Sequence, residues 1–402
     1  MDKEEYLVYG AGRIGIEIVD LLLKMKKNVV MIWDRNSKKE GVYQGIPIRN
    51  PYKEKQLIQE SRNCKIIIGL ANPLENEKIY QYFCKEGYKQ VYRFSGGVNR
   101  IESFCRKEEK LEEYCVLCAC AETCEKWIKE NLEQQYGNQV IEEEKIILAL
   151  SVSVTNRCTL NCNYCVQCTD EVKTKGIFYD MNLDSLKKYV KHILKEVCYI
   201  HQFTLTGGEV LLCKELSEML DYLSQQPQIG YVKILTTATV LISDSLIEKL
   251  KNPKFIVWVD MYGEEKGIPI LLQTNLKLNI EKLVQNKILY HIIDNRNGTW
   301  YDLGDKRKRE DTKENEKKNK ECMFRTCLLL SAKGNLSWCA RNVFCLEYGL
   351  IPKDKRDYCD LSDEQDCLRV KEILQLSYLH GCEYCNGTNE KNMVIAGEQK
   401  FK

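Results

Sequence analysis

Cys158-Thr159-Leu160-Asn161-Cys162-Asn163-Tyr164-Cys165 places three thiols within eight residues, directly after the β-prone run 146–155. No other feature restricts the chain so sharply. Three thiols on one loop can wrap a single metal centre, and a [4Fe–4S] cluster held by three thiolates keeps one iron open for a further ligand. A structural zinc site instead takes four ligands, normally as two separated pairs. A disulfide framework fits poorly, because the 402 residues include 21 cysteines, an odd number. The first residues lack the charged-then-apolar pattern of a signal peptide, and no apolar run nears the roughly 18 residues of a membrane helix. The expectation is a cytoplasmic protein with no membrane partner, whose clustered cysteines hold metal or do chemistry. A formal net charge of +2 argues against a nucleic-acid partner, which calls for a basic surplus. Four histidines in all disfavour a His-rich zinc hydrolase.

Around this loop, apolar runs and helical periodicity alternate. Residues 6–9, 28–33, 65–70 and 90–94 read as strands, and 16–24, 51–62 and 75–86 as helices, giving an α/β domain over 1–100. Residues 101–145 read as a charged helical connector containing Cys115, Cys118, Cys120 and Cys124. A second alternating series opens at 146–155. Helices are expected at 183–197, 214–225 and 243–251, and strands at 202–206, 231–237, 255–260, 268–274 and 288–294. Alternating βα units imply a mainly parallel sheet, open or curled into a barrel. The mixed-charge stretch 305–321 lacks apolar residues and is expected to be a solvated loop.

In the N-terminal domain, Gly10, Gly12 and Gly15 follow a strand and open a helix, and Asp34 ends the next strand. This is the context of a dinucleotide-binding turn, with a pyrophosphate on the helix N-terminus and an acid for a ribose hydroxyl. The stretch from Asp34 to Pro47 resembles the small N-terminal domains of sugar acetyltransferases and related nucleotide-sugar enzymes. That resemblance implies a nucleotide-linked sugar as ligand. An NAD(P) site and a docking domain without ligand remain the alternatives.

Thr155-Asn156-Arg157-Cys158 through Cys165, with Tyr164 before the last cysteine, resembles the signature loop of radical S-adenosylmethionine (radical SAM) enzymes. The resemblance implies that Cys158, Cys162 and Cys165 hold a [4Fe–4S] cluster. Its open iron would bind SAM, and SAM would be cleaved reductively to a 5′-deoxyadenosyl radical that abstracts a substrate hydrogen. Cys168 forms a further CxxC with Cys165 and, as a fourth thiolate, would close the open iron. Gly207-Gly208-Glu209 ends the next strand, where the family carries a Gly-Gly-Glu motif facing the SAM amino group. Thr236-Thr237-Ala238-Thr239 departs from the Thr-Asn-Gly of many relatives. Asp260 ends the fourth strand, where relatives often carry a polar residue facing SAM. The resemblance covers residues 146–300 and implies a partial (β/α)6 barrel at 146–304.

Residues 322–402 hold a second cysteine set. Cys322 and Cys339 flank a hairpin centred on Lys333-Gly334-Asn335, and Cys382-Glu383-Tyr384-Cys385 follows a helix-prone stretch. Four such thiolates suit zinc or an iron–sulfur cluster. The pattern resembles the SPASM and shortened twitch-like extensions of radical SAM enzymes. That implies one auxiliary [4Fe–4S] cluster on Cys339, Cys382 and Cys385 with either Cys322 or Cys327. Cys345, Cys359 and Cys367 are spare. The resemblance further implies a peptide, protein or nucleotide-sugar (carbohydrate) substrate and an electron donor such as a flavodoxin or ferredoxin. The rival readings are an NAD-linked iron–sulfur oxidoreductase and a non-catalytic binding protein stabilised by zinc or a cluster.

Overall fold

The computed structural model describes residues 5–24, 26–53, 61–70, 73–93, 146–252, 254–263, 266–288, 290–326 and 328–400. The connector with Cys115, Cys118, Cys120 and Cys124, most of the expected helix 51–62, and Cys327 lie outside the described residues. The chain divides into two compact units, Met1–Val140 and Ile141–Lys402.

In the first unit, strands β1 (Glu5–Tyr9), β2 (Asn28–Trp33), β3 (Gly41–Tyr43), β4 (Ile46–Arg49), β5 (Lys65–Ile68) and β6 (Val91–Arg93) form one sheet in the order β3-β4-β2-β1-β5-β6. All neighbours are parallel except the β3–β4 hairpin. The hairpin turns at Gln44 and Gly45, both at positive φ. Leu7, Ile66 and Ile68 are fully buried with the rings of Trp33 and Phe83. Burying each such side chain contributes about 1.5–3 kcal/mol. The strand order reverses at β1, so the glycine turn after β1 sits at a topological switch point.

The second unit is built on β7 (Ile146–Thr155), β8 (Tyr199–Gly207), β9 (Ile229–Thr236), β10 (Phe255–Met261) and β11 (Tyr290–Asp294), parallel and adjacent in chain order. Helices Leu183–Glu196, Leu216–Ser224, Asp244–Leu250 and Ile270–Gln285 connect them. This makes a partial barrel with five consecutive βα strands. A sixth parallel strand, β13 (Leu328–Leu330), joins the free edge of β7 from the hairpin it makes with β14 (Asn335–Ser337). β15 (Cys359–Asp360) extends that edge. Leu150, Val152, Val154, Phe203, Leu205, Val232 and Val259 are fully buried against helical Leu186, Val190, Ile193 and Leu220. Strands covered on both faces explain the near-continuous apolar runs. β12 (Thr299–Tyr301) pairs with the late strand β16 (Met393–Ile395) in a separate small sheet.

Two expectations are corrected. No strand forms at 268–274, because those residues begin the helix Ile270–Gln285. Pro269, with φ −55°, starts that helix, and Ile270 and Leu271 stay exposed. A short apolar run beside a proline is equally compatible with a helix start. The stretch 305–321 is not simply a loop: Thr312–Glu321 is a helix whose first turn is capped by Asp311 Oδ1 accepting from the Glu314 N–H. Its buried residues are Asn315 and Asn319, so it packs through polar side chains and lacks the apolar stripe that marks a helix in sequence.

Candidate metal centres

The cysteine loop leaves the C-terminal end of β7, the end of a parallel sheet where ligands bind. β7 and β8 pair Ser153 with Thr206 and, past a one-residue shift of register, Thr155 with Gly207, which lays Gly207-Gly208-Glu209 beside the start of the loop. Gly208 donates its N–H to Thr155 O (2.9 Å) and Glu209 donates its N–H to Arg157 O (2.7 Å). A Cβ on Gly208 would lie 2.1 Å from Arg157 O and 2.9 Å from Cys158 Cβ, and one on Gly207 would lie 2.3 Å from Thr155 O. The two glycines therefore admit the backbone of the cysteine loop itself.

Glu209 is fully buried, and its carboxylate is engaged on both oxygens. Oε1 accepts from Thr236 Oγ1 and the Leu211 N–H, and Oε2 accepts from Thr237 Oγ1 and the Thr237 N–H. These four bonds match the acceptor capacity of a carboxylate. Burial pushes its pKa up, and the threonine hydroxyls pull it back. Thr236 and Thr237, where the sequence departs from Thr-Asn-Gly, are thus the partners of the family-like glutamate. The chain continues from Thr237 Oγ1 to Thr239 Oγ1 (2.8 Å) and from there to Thr159 Oγ1 (2.6 Å), inside the cysteine loop.

Cys158, Cys162 and Cys165 cluster with Leu160, Tyr262, Ile268 and Trp300. Burial pushes all three thiols up, Cys162 to about 12, and Cys165 raises the other two further. Buried thiols that oppose one another's ionisation are a donor set that suits a cationic centre, which deprotonates its thiol ligands outright. Asp260 lies close enough for its charge to raise both Cys162 and Tyr262, and it accepts from Asn295 Nδ2 at 3.0 Å. The loop also carries Asn161 Oδ1 and Gln167 Oε1, two buried acceptors with no hydrogen-bond partner among the described residues. Such orphans fit a site completed by a ligand with N–H or O–H donors. Tyr164 and Cys168 both take left-handed backbone conformations, φ 58° and 52°, which L residues adopt at a cost of about 1–3 kcal/mol. The Cys168 sulfur faces Cys345 Sγ at 4.0 Å, and both residues are buried.

The tail cysteines line one narrow cleft with a cavity volume of about 30 Å³, which Cys322, Cys339, Cys382 and Cys385 share with Cys345, Lys318 and Arg341. Burial raises Cys339 well above the ordinary thiol range, and Cys322, Cys382 and Cys385 add to the rise. The Cys382–Cys385 turn is held from several sides. Asp357, 1% exposed, accepts the backbone N–H groups of His380 (2.8 Å) and Gly381 (2.7 Å). Lys318 donates to Cys385 O (2.8 Å), and Asn319 Nδ2 donates to Cys382 Sγ (3.2 Å). Lys318 and Asn319 belong to the charged helix that reads as solvated from composition, and no local signal marks their role. Cys359 and Cys367 are buried in the main core, away from this set. Among the described residues no three thiol, carboxylate or imidazole groups converge on a single ion. Four thiols around one zinc would stand about 3.8 Å apart, as the Zn–S length of about 2.3 Å requires.

In the first unit, Gly15 is required by packing, since its Cβ would lie 1.6 Å from Gly10 O, and Gly10 has φ +111°. Gly12 faces open space, with nothing within 4 Å of a Cβ. Asp34 bonds to the Ala11 N–H (2.8 Å), the Asn36 N–H (2.8 Å) and Lys39 (3.2 Å). Its carboxylate closes the glycine turn and is already ion-paired.

Fold and site together define an α/β protein with a partial parallel barrel and a three-thiol loop at the C-terminal end of its first strand. Residues 152–285, which contain that loop, Gly207-Gly208-Glu209 and Asp260, match the model of the Radical SAM superfamily. The barrel is a radical SAM domain, a type that implies a [4Fe–4S] cluster and SAM. Among curated proteins the chain is similar to GTP 3′,8-cyclase of Syntrophomonas wolfei, 30% identical over 28% of this chain and 32% of that protein. It is also similar to GTP 3′,8-cyclase of Clostridium acetobutylicum, 36% identical over 23% and 28%. The match thus spans about a third or less of the length of these relatives. Among solved structures, anSMEcpe with bound AdoMet is 15% identical with a TM-score of 0.37, covering 58% of this chain and 81% of that one. BtrN in complex with AdoMet and 2-DOIA is 14% identical with a TM-score of 0.36, covering 63% and 97%. No helix among the described residues is long and apolar enough to cross a membrane.

Proposed function

We propose that this chain is a radical SAM enzyme that holds a [4Fe–4S] cluster on Cys158, Cys162 and Cys165 and cleaves SAM reductively to abstract a substrate hydrogen. The observation that carries this reading is the loop inside the matched segment: three thiols in one apolar cluster, Cys162 buried and Cys158 and Cys165 partly buried, with the nearby Cys168 turned toward Cys345. Three thiolates leave one iron open for the amino and carboxylate groups of SAM. When bound, the cluster supplies the electron for SAM cleavage, and the protein supplies position and shielding. Gly208 and Glu209 fix the loop against β8 and β9, so a SAM ammonium would take the place of a threonine donor on Glu209. Asp260 adds an acceptor on the same side of the barrel. Tyr262 and Trp300 cover the loop and limit the access of water.

The tail cleft supports one auxiliary [4Fe–4S] cluster on Cys339, Cys382, Cys385 and Cys322, the described candidate for the fourth ligand. A flavodoxin- or ferredoxin-type donor supplies electrons. The substrate is a peptide or protein, or a nucleotide-linked sugar. Gly12 supports a nucleotide at the glycine turn, because nothing in its own surroundings requires a glycine. Asp34, ion-paired to Lys39, does not add to that support.

Anaerobically reconstituted protein is expected to release 5′-deoxyadenosine from SAM under reduction. Cys158→Ala should abolish that release and keep the iron of the tail. Wild-type protein that carries iron at the loop yet releases no 5′-deoxyadenosine overturns the reading.

A further inference from the structure

The end of the chain reaches the cysteine loop. β16 pairs with β12, and the backbone then turns at Gly397, φ +71°, where a Cβ would lie 2.2 Å from the Tyr262 ring. Residues 398–400 run antiparallel to 161–163: Asn163 N–H donates to Glu398 O (2.7 Å) and Lys400 N–H donates to Asn161 O (2.8 Å). An isolated bridge pairs Cys162 with Gln399. The Lys400 ammonium lies 2.6 Å from Asp170 Oδ2, on the helix that follows the loop.

Gln399 is 7% exposed, and the orientation of its amide is fixed by backbone groups. Oε1 accepts from the Asn161 N–H (2.7 Å), which can only donate, and Nε2 donates to Gly397 O (2.7 Å), which can only accept. The assignment of oxygen and nitrogen is therefore unambiguous. The second amide proton then points at Cys162 Sγ, 3.0 Å from the nitrogen.

We propose that Gln399 is a positioning residue for the loop cluster, seating Cys162 and raising the cluster's reduction potential through an N–H···S hydrogen bond. This rests on the [4Fe–4S] reading of the loop. A cluster that gains an electron puts more negative charge on its sulfurs, so a donor aimed at a ligand sulfur stabilises the reduced form. The donor lies more than two hundred residues from its acceptor in sequence, so the loop has its final ligand geometry only when the chain end is docked.

Gln399→Glu separates the acceptor side of the amide from its donor side. It keeps an acceptor for the Asn161 N–H and replaces the donor to Cys162 Sγ and Gly397 O with a carboxylate oxygen. An EPR-monitored redox titration of the SAM-responsive signal is expected to place the Gln399→Glu midpoint at least tenfold lower in the one-electron equilibrium, or about 59 mV. A folded Gln399→Glu chain that no longer binds iron at the loop also supports the proposal, as loss of ligand positioning. Equal midpoints overturn it. In apo-protein, hydrogen exchange at the Asn161 and Asn163 amides should accelerate when the chain is truncated after Ala396, and equal exchange overturns the proposal as well. A wild-type protein without any SAM-responsive cluster signal refutes the enzyme reading instead, so the two failures are distinguishable.

Discussion

Gly208→Ala tests whether the second glycine of Gly-Gly-Glu serves the cysteine loop. The added methyl would sit 2.1 Å from the carbonyl oxygen of Arg157, so that carbonyl must retreat by more than about 1 Å to reach ordinary contact. The same carbonyl accepts the Glu209 N–H at 2.7 Å, and the retreat breaks that bond. Leaving one buried backbone donor unsatisfied costs about 1–3 kcal/mol. Overpacking of a rigid site costs about 1–3 kcal/mol more. For a unit of this size each kcal/mol lowers the melting temperature by about 2–4 °C. Thermal unfolding of reduced apo-protein is therefore expected to fall by about 5–20 °C. Because Arg157 precedes Cys158, iron bound at the loop should fall too. A Gly208→Ala protein that melts within about 2 °C of wild type and binds iron equally well would refute the reasoning.

Three further outcomes are expected. Thr237→Val removes one of the hydroxyls that favour ionised Glu209 and should cost about 1–2 kcal/mol. The folded pKa of Glu209 is raised by burial, so its contribution to stability is present below the unfolded value and is lost as pH rises through the folded one. The Thr237→Val deficit therefore belongs to the ionised form and should shrink as pH falls, and denaturation curves with a pH-independent deficit would contradict this. In the first unit, Gly12→Ala should leave the melting temperature unchanged while Gly15→Ala lowers it, because only Gly15 is pressed against Gly10 O. A loss of nucleotide affinity in Gly12→Ala, measured calorimetrically with the full chain, would fit a nucleotide site. Cys168→Ser should keep the iron content of the loop, since its sulfur faces Cys345, whereas Cys382→Ala should lose the tail iron alone. Iron counts and Mössbauer spectra check both.

What the sequence makes legible is local. The three-thiol loop, the glycine turn after β1 and the hairpin at Lys333-Gly334-Asn335 each lie within a few residues, and the backbone has few ways to arrange them. The roles of neighbouring groups are not local. Gly207 and Gly208 read as part of a motif facing SAM, yet the space they leave is filled by Thr155 of the adjacent strand and Arg157 of the loop that follows it. Thr236 and Thr237 read as a departure from a motif, yet they supply three of the four hydrogen bonds to the Glu209 carboxylate. Both outcomes depend on the β7–β8–β9 register, which pairs residues about 30–50 positions apart and which no local pattern encodes.

The segments hardest to read are those that hold the thiols. A cysteine loop, and a CxxC segment with only the single short 3-10 turn His380–Tyr384, make few repeating backbone bonds, so most of their backbone groups must find partners elsewhere. Here the partners are polar. Helix Thr312–Glu321 supplies Lys318 and Asn319 to the tail turn, Asp357 takes two of its N–H groups, and residues 398–400 pair with the loop. Apolar periodicity detects a helix by the face it buries, so it passes over a helix whose buried residues are Asn315 and Asn319. Each of these bonds contributes only about 1 kcal/mol net, but a ligand sulfur must be held to a fraction of an ångström. On the proposed cluster reading, the polar segments serve ligand geometry more than bulk stability, and the mixed-charge composition that suggests solvated chain is the composition such a cradle requires.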